Sequence, residues 1–315
     1  MRPDFLSNID APHAENELGI CAMTRMNVIV ALTLMASVVI MERASGQTSS
    51  QGAIPNLGGA AFGWTSMGTD FDAVPGGPQP VGDDPAHPHI GNFQRAQGLQ
   101  PTFHVADLNN SNLTDFAKQE LQKTNEEVFR GKAVYNREAR CWPPGVPTYD
   151  VNQGFFYFIQ TPKEVLMVWH GDHAARHIYM DVPHSQNPKL SWYGESVGHY
   201  EGVTLVVDTI GQNTQTFVDN YRTPHSQKLH VIEHFRVIND GKNLKADIFL
   251  EDPATFKQPV HVAHSWRRTA AVEHGDRGQS ALEEQSCAEA GPGNFAFSTD
   301  PDRVEPIPTA AKADF

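Results

Sequence analysis

The chain has 315 residues, of which 39% are hydrophobic and 19% charged, values that are typical of a soluble globular protein. Its formal net charge of -13, without a basic run, argues against nucleic acid and against an anionic membrane surface, because both ligands are bound through basic side chains. The 22 prolines and 25 glycines indicate long irregular segments beside a folded core.

An N-terminal signal peptide is predicted over residues 23–46. A basic residue precedes the apolar run Val28–Met41, which is too short to span a bilayer comfortably. Ala44-Ser45-Gly46 then offers the small residues that a signal peptidase accepts. We therefore expect cleavage before Gln47 and export to the periplasm or the medium, with residues 1–46 missing from the mature protein and no attachment to a membrane.

The mature chain would keep two of the three cysteines, Cys141 and Cys287. In an exported protein, two cysteines most simply form one disulfide bond. Two unrelated buried thiols are the structural alternative. We expect the disulfide.

Outside the predicted β domain, the only regular element expected is a helix. Residues 47–112 are rich in Gly, Pro, Asn and Ser without a sustained hydrophobic period, which predicts an irregular arm, and residues 291–315 form a similar tail. Apolar residues recur near helical spacing over Leu113–Lys132, where Thr114 can cap the start and Gly131 can end the helix. We expect this helix to pack on the β domain or to cover its opening.

The following strand-length segments, together with the helix, predict one domain over residues 113–290. They are rich in β-branched and aromatic residues, and no helical pattern separates them, which favours an antiparallel sheet. Asn239-Asp240-Gly241-Lys242 predicts a tight hairpin. So many short strands must close into a barrel or pack as two sheets to protect their edges. The segments are GFFYFIQT, EVLMVWH, ARHIYMD, VTLVVDT, LHVIEHFRVI, NLKADIFLE and PVHVAHSW.

Strand alternation places several ionisable residues on faces that are otherwise apolar. Arg176, Asp208 and Glu233 each share a face with apolar neighbours. A carboxylate in such a place is costly unless it is paired or lies in a solvated cavity, so Arg176 is the expected partner of Glu233 or Asp208. His170 and His264 fall on comparable faces of two other segments.

Two interpretations of these residues stay open. The first is a structural ion pair that fixes the strand register. The second is an enclosed cavity for acid and base chemistry, with Glu233 or Asp208 as the general base. His225 or His264 would then be the acid, and Arg176 would anchor the substrate or tune a pKa. The side chains expected to contact a substrate are His170, Phe235 and Trp266.

The other chemistries that the sequence could encode are weakly supported. Fourteen of the 15 histidines lie beyond residue 47, but none belongs to an HExxH pattern, so structural histidines are preferred to a metal site. His170, His173 and His177 have metal-like spacings, but on a strand an odd spacing, such as that of His170 and His173, places two side chains on opposite faces. No phosphate or dinucleotide loop occurs, and Ser196 and Ser226 lack the Gly-x-Ser-x-Gly elbow. We therefore expect no cofactor and no metal.

Several sequence blocks resemble those of a large family of exported bacterial proteins to which no activity is assigned. The family typically has a Trp-x-Gly-x-Ser-x-Gly block that continues into Glu-Gly-Asp-Thr-x-Val-Val-(Asp/Glu)-Thr, followed by a His-Ser block that ends in Glu-Arg. The resemblance extends from Cys141 to Arg268. The matching blocks here are CWPPGVP, FFYFIQTP, RHIYMD, WYGESVGHYEGVTLVVDTIG, TPHSQKLHVIEHFRV and EDPATFKQP.

This resemblance implies a lipocalin-like β-barrel. It points to a shared set of site residues, which are His225, Ser226, Glu233, Asp208 and Arg176. The chain departs from the family pattern where Trp, Asp and Arg are usual, at Tyr200, Val203 and His234.

The sequence therefore predicts an exported β-barrel enzyme that performs general acid/base chemistry as a lyase, hydrolase or isomerase. Its expected substrate is a small organic molecule, apolar or phenolic. A periplasmic barrel that binds a small molecule without turnover is the first alternative. A metal-dependent oxidoreductase is the second.

Overall fold

Nine strands close into a barrel in the computed structural model of the protein. Closure occurs where the strand Phe62–Ser66 pairs with both Phe155–Gln160 and Val260–Ala270. The short strand Asp72–Ala73 adds to Val260–Ala270 through Ala73 and Val262. The structure describes residues 54–58, 62–131, 142–151, 154–169 and 175–270.

The strands follow one another around the barrel in chain order, apart from β2. The strands are β1 (Phe62–Ser66), β2 (Asp72–Ala73), β3 (Phe155–Gln160), β4 (Glu164–Trp169), β5 (Ala175–Met180), β6 (Glu195–Glu201), β7 (Thr204–Ile210), β8 (His230–Ile238), β9 (Asn243–Glu251) and β10 (Val260–Ala270). The helices are α1 (Asp115–Phe129), α2 (Thr148–Val151) and a 3-10 helix over Asn92–Gln97. No helix in the described ranges has the length and apolar character that crossing a membrane requires.

One pairing in the barrel is parallel. β5 and β6 run in the same direction, with Ile178 beside Ser196. A parallel pair needs a long connection, and residues 181–194, which we call the crossover, return the chain from one end of the barrel to the other. The predicted mainly β barrel is confirmed, and it is compatible with a lipocalin-like architecture. The prediction of a purely antiparallel sheet was wrong for this pair. It relied on the lack of helices between the strands, but here an extended crossover joins two parallel strands without a helix.

Three strands lie outside the segments predicted from sequence, namely β1, β2 and β6. β1 belongs to the region expected to be an irregular arm, yet Phe62 and Trp64 are buried in the core. Gly63 between them is required, because a Cβ atom there would lie 2.4 Å from the backbone oxygen of Phe156 on β3. The arm therefore supplies the strand that closes the barrel.

Helix α1 forms where the hydrophobic spacing predicts it. The Thr114 side chain accepts a hydrogen bond from the backbone N–H of Ala117, and Gly131 has a φ of 72° just beyond the end. Phe116, one of the apolar residues at helical spacing, is 47% exposed. Asn125 instead is buried and exchanges hydrogen bonds with the backbone N–H and C=O of Ala106, so the helix anchors the arm.

The barrel interior has two different halves. We call one end the hairpin end, since the tight turns 161–163, 202–203 and 239–242 lie there, and the other the long-loop end, with residues 142–151 and 211–229. Buried apolar side chains fill the half toward the hairpin end, among them Trp64, Phe158, Met180, Leu205, Phe235 and Leu244. The half toward the long-loop end contains the charged residues described below.

Some of the sequence predictions fall outside the described residues. These are the signal peptide, the Cys141–Cys287 disulfide, His170 and the tail at 291–315.

Candidate functional site

Five polar side chains lie together inside the barrel toward the long-loop end, and we call them the inner charge cluster. None of them is more than 1% exposed. They come from one helix and four neighbouring strands. The members are Asp150 on α2, Arg176 on β5, Ser196 on β6, Thr209 on β7 and Glu233 on β8.

Arg176 is the centre of this cluster. Its Nη1 donates to Glu233 Oε1 at 2.8 Å and its Nη2 donates to Glu233 Oε2, so the ion pair is bidentate. Nη2 also donates to Thr209 Oγ1 at 2.8 Å, and Nε donates to Ser196 Oγ at 3.2 Å. The last Nη1 hydrogen faces Met167 Sδ at 3.8 Å. All five N–H groups therefore have partners, which a fully buried guanidinium requires.

The strand register explains why these groups meet. Ser196 and Thr209 are direct cross-strand neighbours, and their hydroxyl oxygens are 2.8 Å apart. Thr209 shares the inner face of β7 with the buried Leu205 and Val207. The two hydroxyl groups therefore lie side by side and accept hydrogen bonds from the same guanidinium.

Asp150 brings a second carboxyl group to the ion pair. Among the described residues, no N–H or O–H group donates to its carboxyl oxygens. Burial and then the nearby charge of Glu233 raise the pKa of Asp150 well above its usual value, although Arg176 acts in the opposite direction. A protonated Asp150 can donate a hydrogen bond to Glu233, whereas two carboxylates have no proton to share. We therefore describe Asp150 as the neutral acid of the cluster.

Arg176 and Glu233 form the buried ion pair of the cluster. Burial opposes the charge of Arg176, but the adjoining Glu233 carboxylate outweighs this effect and raises the pKa of Arg176. With Asp150 neutral, the cluster has no net charge, which is the least costly state for so many buried groups. One protonated carboxyl beside one ionised carboxylate is an arrangement found in acid/base active sites.

Aromatic residues adjoin the cluster at the long-loop end, and we call four of them the aromatic cap. Tyr149 lies close enough to Arg176 to favour its charged form. Its ring also packs edge-on against Tyr193, at 5.8 Å between centroids. Trp142 and Trp192 contact each other at 5.3 Å and are partly exposed. The cap, Trp142, Tyr149, Trp192 and Tyr193, thus extends from the surface to the neighbourhood of Arg176.

Asp208 does not face the inner charge cluster, and the expectation that it converges with Arg176 and Glu233 was wrong. It precedes Thr209 in β7, so strand alternation turns it outward, where its side chain is 36% exposed. Its Oδ1 lies 3.0 Å from His184 Nε2 and 2.8 Å from His230 Nε2. Partial burial would raise the pKa of Asp208, but the hydrogen bonds from the two histidines outweigh it and lower that pKa.

These residues belong to a second group, which we call the outer histidine cluster. Its members are His184, Glu195, Asp208 and His230. The error about Asp208 has a physical source: Leu205, Val206 and Val207 are consecutive, so both faces of β7 have apolar residues and alternation alone does not identify the inner face.

His264 lies inside the barrel, as expected, but away from the ion pair. Its Nε2 is 2.8 Å from Ser66 Oγ, and its Nδ1 donates to the backbone oxygen of Asp70 at 3.2 Å. Burial lowers the pKa of His264 to about 4, so the ring is neutral near pH 7. β9 separates it from Glu233.

His225 lies in the 211–229 loop, outside the barrel strands. Its Nε2 is 2.7 Å from Thr216 Oγ1, and its Nδ1 donates to the backbone oxygen of Ser226 at 2.9 Å. Ser226 Oγ in turn donates to Asp252 Oδ1 at 2.9 Å. These contacts fix the loop.

The two aromatic residues expected to contact a substrate are core residues. Phe235 and Trp266 are at most 1% exposed, and their ring centroids lie 6.0 Å apart. Within the described ranges, no group of three or more His, Cys, Asp or Glu side chains is arranged to hold a metal ion.

Sequence reasoning missed three members of the inner charge cluster. Asp150 directly follows the proline-rich turn, and an acid at the end of such an apolar segment was the available signal. Ser196 was considered as a possible nucleophile, and its sequence context gives no sign that it would contact Arg176. Thr209 has the opposite strand parity to Asp208, so choosing Asp208 for the inner face excluded it.

Comparison with protein-family models, with curated proteins and with solved structures finds no match for this chain.

Proposed function

We propose that the protein is an exported β-barrel enzyme that transfers protons to and from a small organic substrate at the inner charge cluster. One observation carries this proposal: a buried carboxyl with a raised pKa, Asp150, lies beside an ionised carboxylate, Glu233, which is paired with Arg176. Pairs of acids whose pKa values are pushed apart are a frequent feature of acid/base catalysts. Export and kinship with the exported family that the sequence blocks resemble are part of the same proposal.

The roles within the cluster follow from its geometry. Glu233 was the expected base, but both of its carboxylate oxygens already accept hydrogen bonds from Arg176. Burial and the charge of Glu233 raise the pKa of Asp150, and no described N–H or O–H group donates to its carboxyl oxygens, which suits a group that both gives and takes a proton. We assign proton transfer to Asp150. Glu233 and Arg176 are positioning residues that set the pKa of Asp150.

The aromatic cap indicates the class of substrate. Its rings are partly exposed at one end and approach Arg176 at the other, so they offer an entry for a flat apolar molecule. An aromatic ketone fits these requirements. In the proposed step Asp150 first releases its proton to solvent, and its carboxylate then takes the proton of a C–H bond next to the carbonyl. The electron pair of that bond stays on the enolate, and return of a proton from Asp150 to carbon reverses the step.

Deuterium exchange tests this function directly. Purified mature protein is incubated with 2-tetralone or phenylacetone in D2O, and loss of the benzylic proton signal is followed by NMR. We expect the wild-type protein to accelerate exchange and Asp150→Asn to lose about a hundredfold or more of that rate. Asp247→Asn is the matched control, because Asp247 lies on the outer barrel surface and pairs with Arg236 and Lys245. Equal rates for wild type and Asp150→Asn would contradict the assignment.

One observation favours the binding barrel as the second candidate. All five Arg176 N–H groups are satisfied within the protein, which is typical of a structural ion pair. A binding protein would show a thermal shift with the same ketones and no exchange in any variant.

A further inference from the structure

The crossover is held against the barrel wall by few side chains. Within residues 181–190, all but His184 and Pro188 are exposed. His184 reaches two barrel strands: its Nδ1 lies 3.0 Å from Glu195 Oε1 on β6, and its Nε2 lies 3.0 Å from Asp208 Oδ1 on β7. The backbone N–H of Ser185 donates to the same Glu195 oxygen at 2.7 Å. This segment is therefore pinned by one histidine between two carboxylates.

The chemistry of imidazole makes this geometry dependent on a proton. A neutral histidine has one N–H donor and one lone pair, whereas ionised carboxylates only accept hydrogen bonds. Both ring nitrogens of His184 face carboxylate oxygens. Only the imidazolium form satisfies both contacts. A neutral ring would direct a lone pair at one of the carboxylates.

The neighbouring strands place further titratable groups around His184. On β8, His230 Nε2 lies 2.8 Å from the Asp208 oxygen that His184 also approaches. On β9, Glu251 is the cross-strand neighbour of His230 and adds a further negative charge. The hydrogen bond to Asp208 raises the pKa of His230, although partial burial opposes it. Two histidines thus face three acids.

We propose that protonated His184 locks the crossover onto β6 and β7, and that loss of this proton releases residues 182–190 from the barrel wall. The lock is closed while the ring carries its proton and donates to both carboxylates, and it opens at higher pH once that proton is lost to solvent. Residues 182–190 lead directly into Trp192 and Tyr193, which belong both to the crossover and to the aromatic cap. The lock therefore acts next to the proposed substrate entry. Its effect on substrate entry depends on the proposed function, whereas the lock itself does not depend on it.

Hydrogen–deuterium exchange of the full-length protein tests the lock, and its readout does not involve turnover. Exchange of the Ser185 amide and of the 182–190 segment is measured at pH 5.5 and pH 8.5 and corrected for the intrinsic rates. We expect protection at pH 8.5 to be about tenfold lower, the size of effect given by one hydrogen bond to a charged group. In His184→Ala, the protection of residues 182–190 should be low at both pH values.

His199→Ala is the matched control, because His199 is also a histidine that contacts a carboxylate, Glu201 at 3.1 Å, but on the exposed surface of β6. It should retain the wild-type dependence on pH, and amides of β8 should be unchanged in both variants. Protection of residues 182–190 that does not vary with pH, or that survives His184→Ala, would overturn the proposal. Neither result depends on whether Asp150 transfers protons.

Discussion

The inner charge cluster and the outer histidine cluster lie on opposite faces of the same strands. In β7, Thr209 points inward to Arg176 and Asp208 points outward to His184 and His230. Inside, the acid is paired with a guanidinium that stays charged at any physiological pH. Outside, the acid is paired with imidazoles, which titrate near neutral pH. The two acids therefore differ both in burial and in cation: one has a partner that keeps its charge, and the other has partners that can lose theirs.

The largest expected effect comes from breaking the inner pair. Glu233→Gln leaves Arg176 buried without its counter-ion, which costs about 3–5 kcal/mol of unfolding free energy when nothing replaces the lost charge. Asp150 lies beside the guanidinium and can ionise once Glu233 is neutral, so part of the loss should be recovered. Urea unfolding at pH 7 measures the loss. The double variant Asp150→Asn/Glu233→Gln, which removes the substitute charge, should be less stable than Glu233→Gln alone.

A companion variant separates the charge from the packing. Arg176→Met/Glu233→Met replaces the ion pair with apolar side chains, and such exchanges are often neutral or stabilising. We expect it to be more stable than Glu233→Gln. If the double methionine variant were the less stable of the two, the ion pair would be worth more to folding than its burial cost implies.

A smaller effect, of opposite sign, is expected for Asp150→Asn. The folded pKa of Asp150 is raised, so the stability gained from its protonated form is fully present below the unfolded pKa, near 3.8, and is lost as the pH rises through the folded pKa. An asparagine cannot ionise, and its amide can still donate to Glu233. We expect it to stabilise the protein at pH 8, by about 1–3 kcal/mol, with little difference at pH 4. Thermal unfolding across this pH range checks it, and a stability difference that does not vary with pH would contradict a neutral buried Asp150.

The smallest effect is expected at the outer cluster. Asp208→Asn should cost under about 1 kcal/mol, because partly exposed ion pairs contribute little. The folded pKa of His230 is raised, so its stabilising contribution is present below pH 6.5 and disappears as the pH rises through the folded value. In Asp208→Asn, NMR titration should show the His230 pKa falling. In 1 M salt the Asp208–His230 ion pair of the wild-type protein should also contribute less stability, whereas the buried Arg176–Glu233 pair should be little affected.

The sequence predicted the barrel because hydrophobic alternation is strong in most strands. In β8 the inward residues Val231, Glu233 and Phe235 are all buried, and the alternation identified Glu233 as an acid in need of a partner. Arg176 was predicted to pair with Glu233 or Asp208, and the structure has the pair with Glu233. Strands that lack this pattern were missed: β6 has Gly198 on its inner face, and β1 is short and lies in a glycine-rich region.

The rest of the site depends on tertiary contacts that alternation does not encode. Asp150 reaches Glu233 because a one-turn helix places it under the end of the barrel, and nothing local in the sequence fixes that placement. The parallel β5–β6 pair depends on the path of the crossover. His184 was not singled out, because its role appears only when β6 and β7 place Glu195 and Asp208 on either side of it.

The closure of the barrel by β1 and β10 has a consequence for synthesis. The first strand of the closed ring pairs with the last, Phe62 with Ala270, so a nascent chain holds two unpaired sheet edges until its final strand has left the ribosome. Such edges are sites of aggregation, and pairings between distant segments form slowly. Truncation before β10 would therefore yield an open sheet that needs a chaperone, and not a smaller barrel.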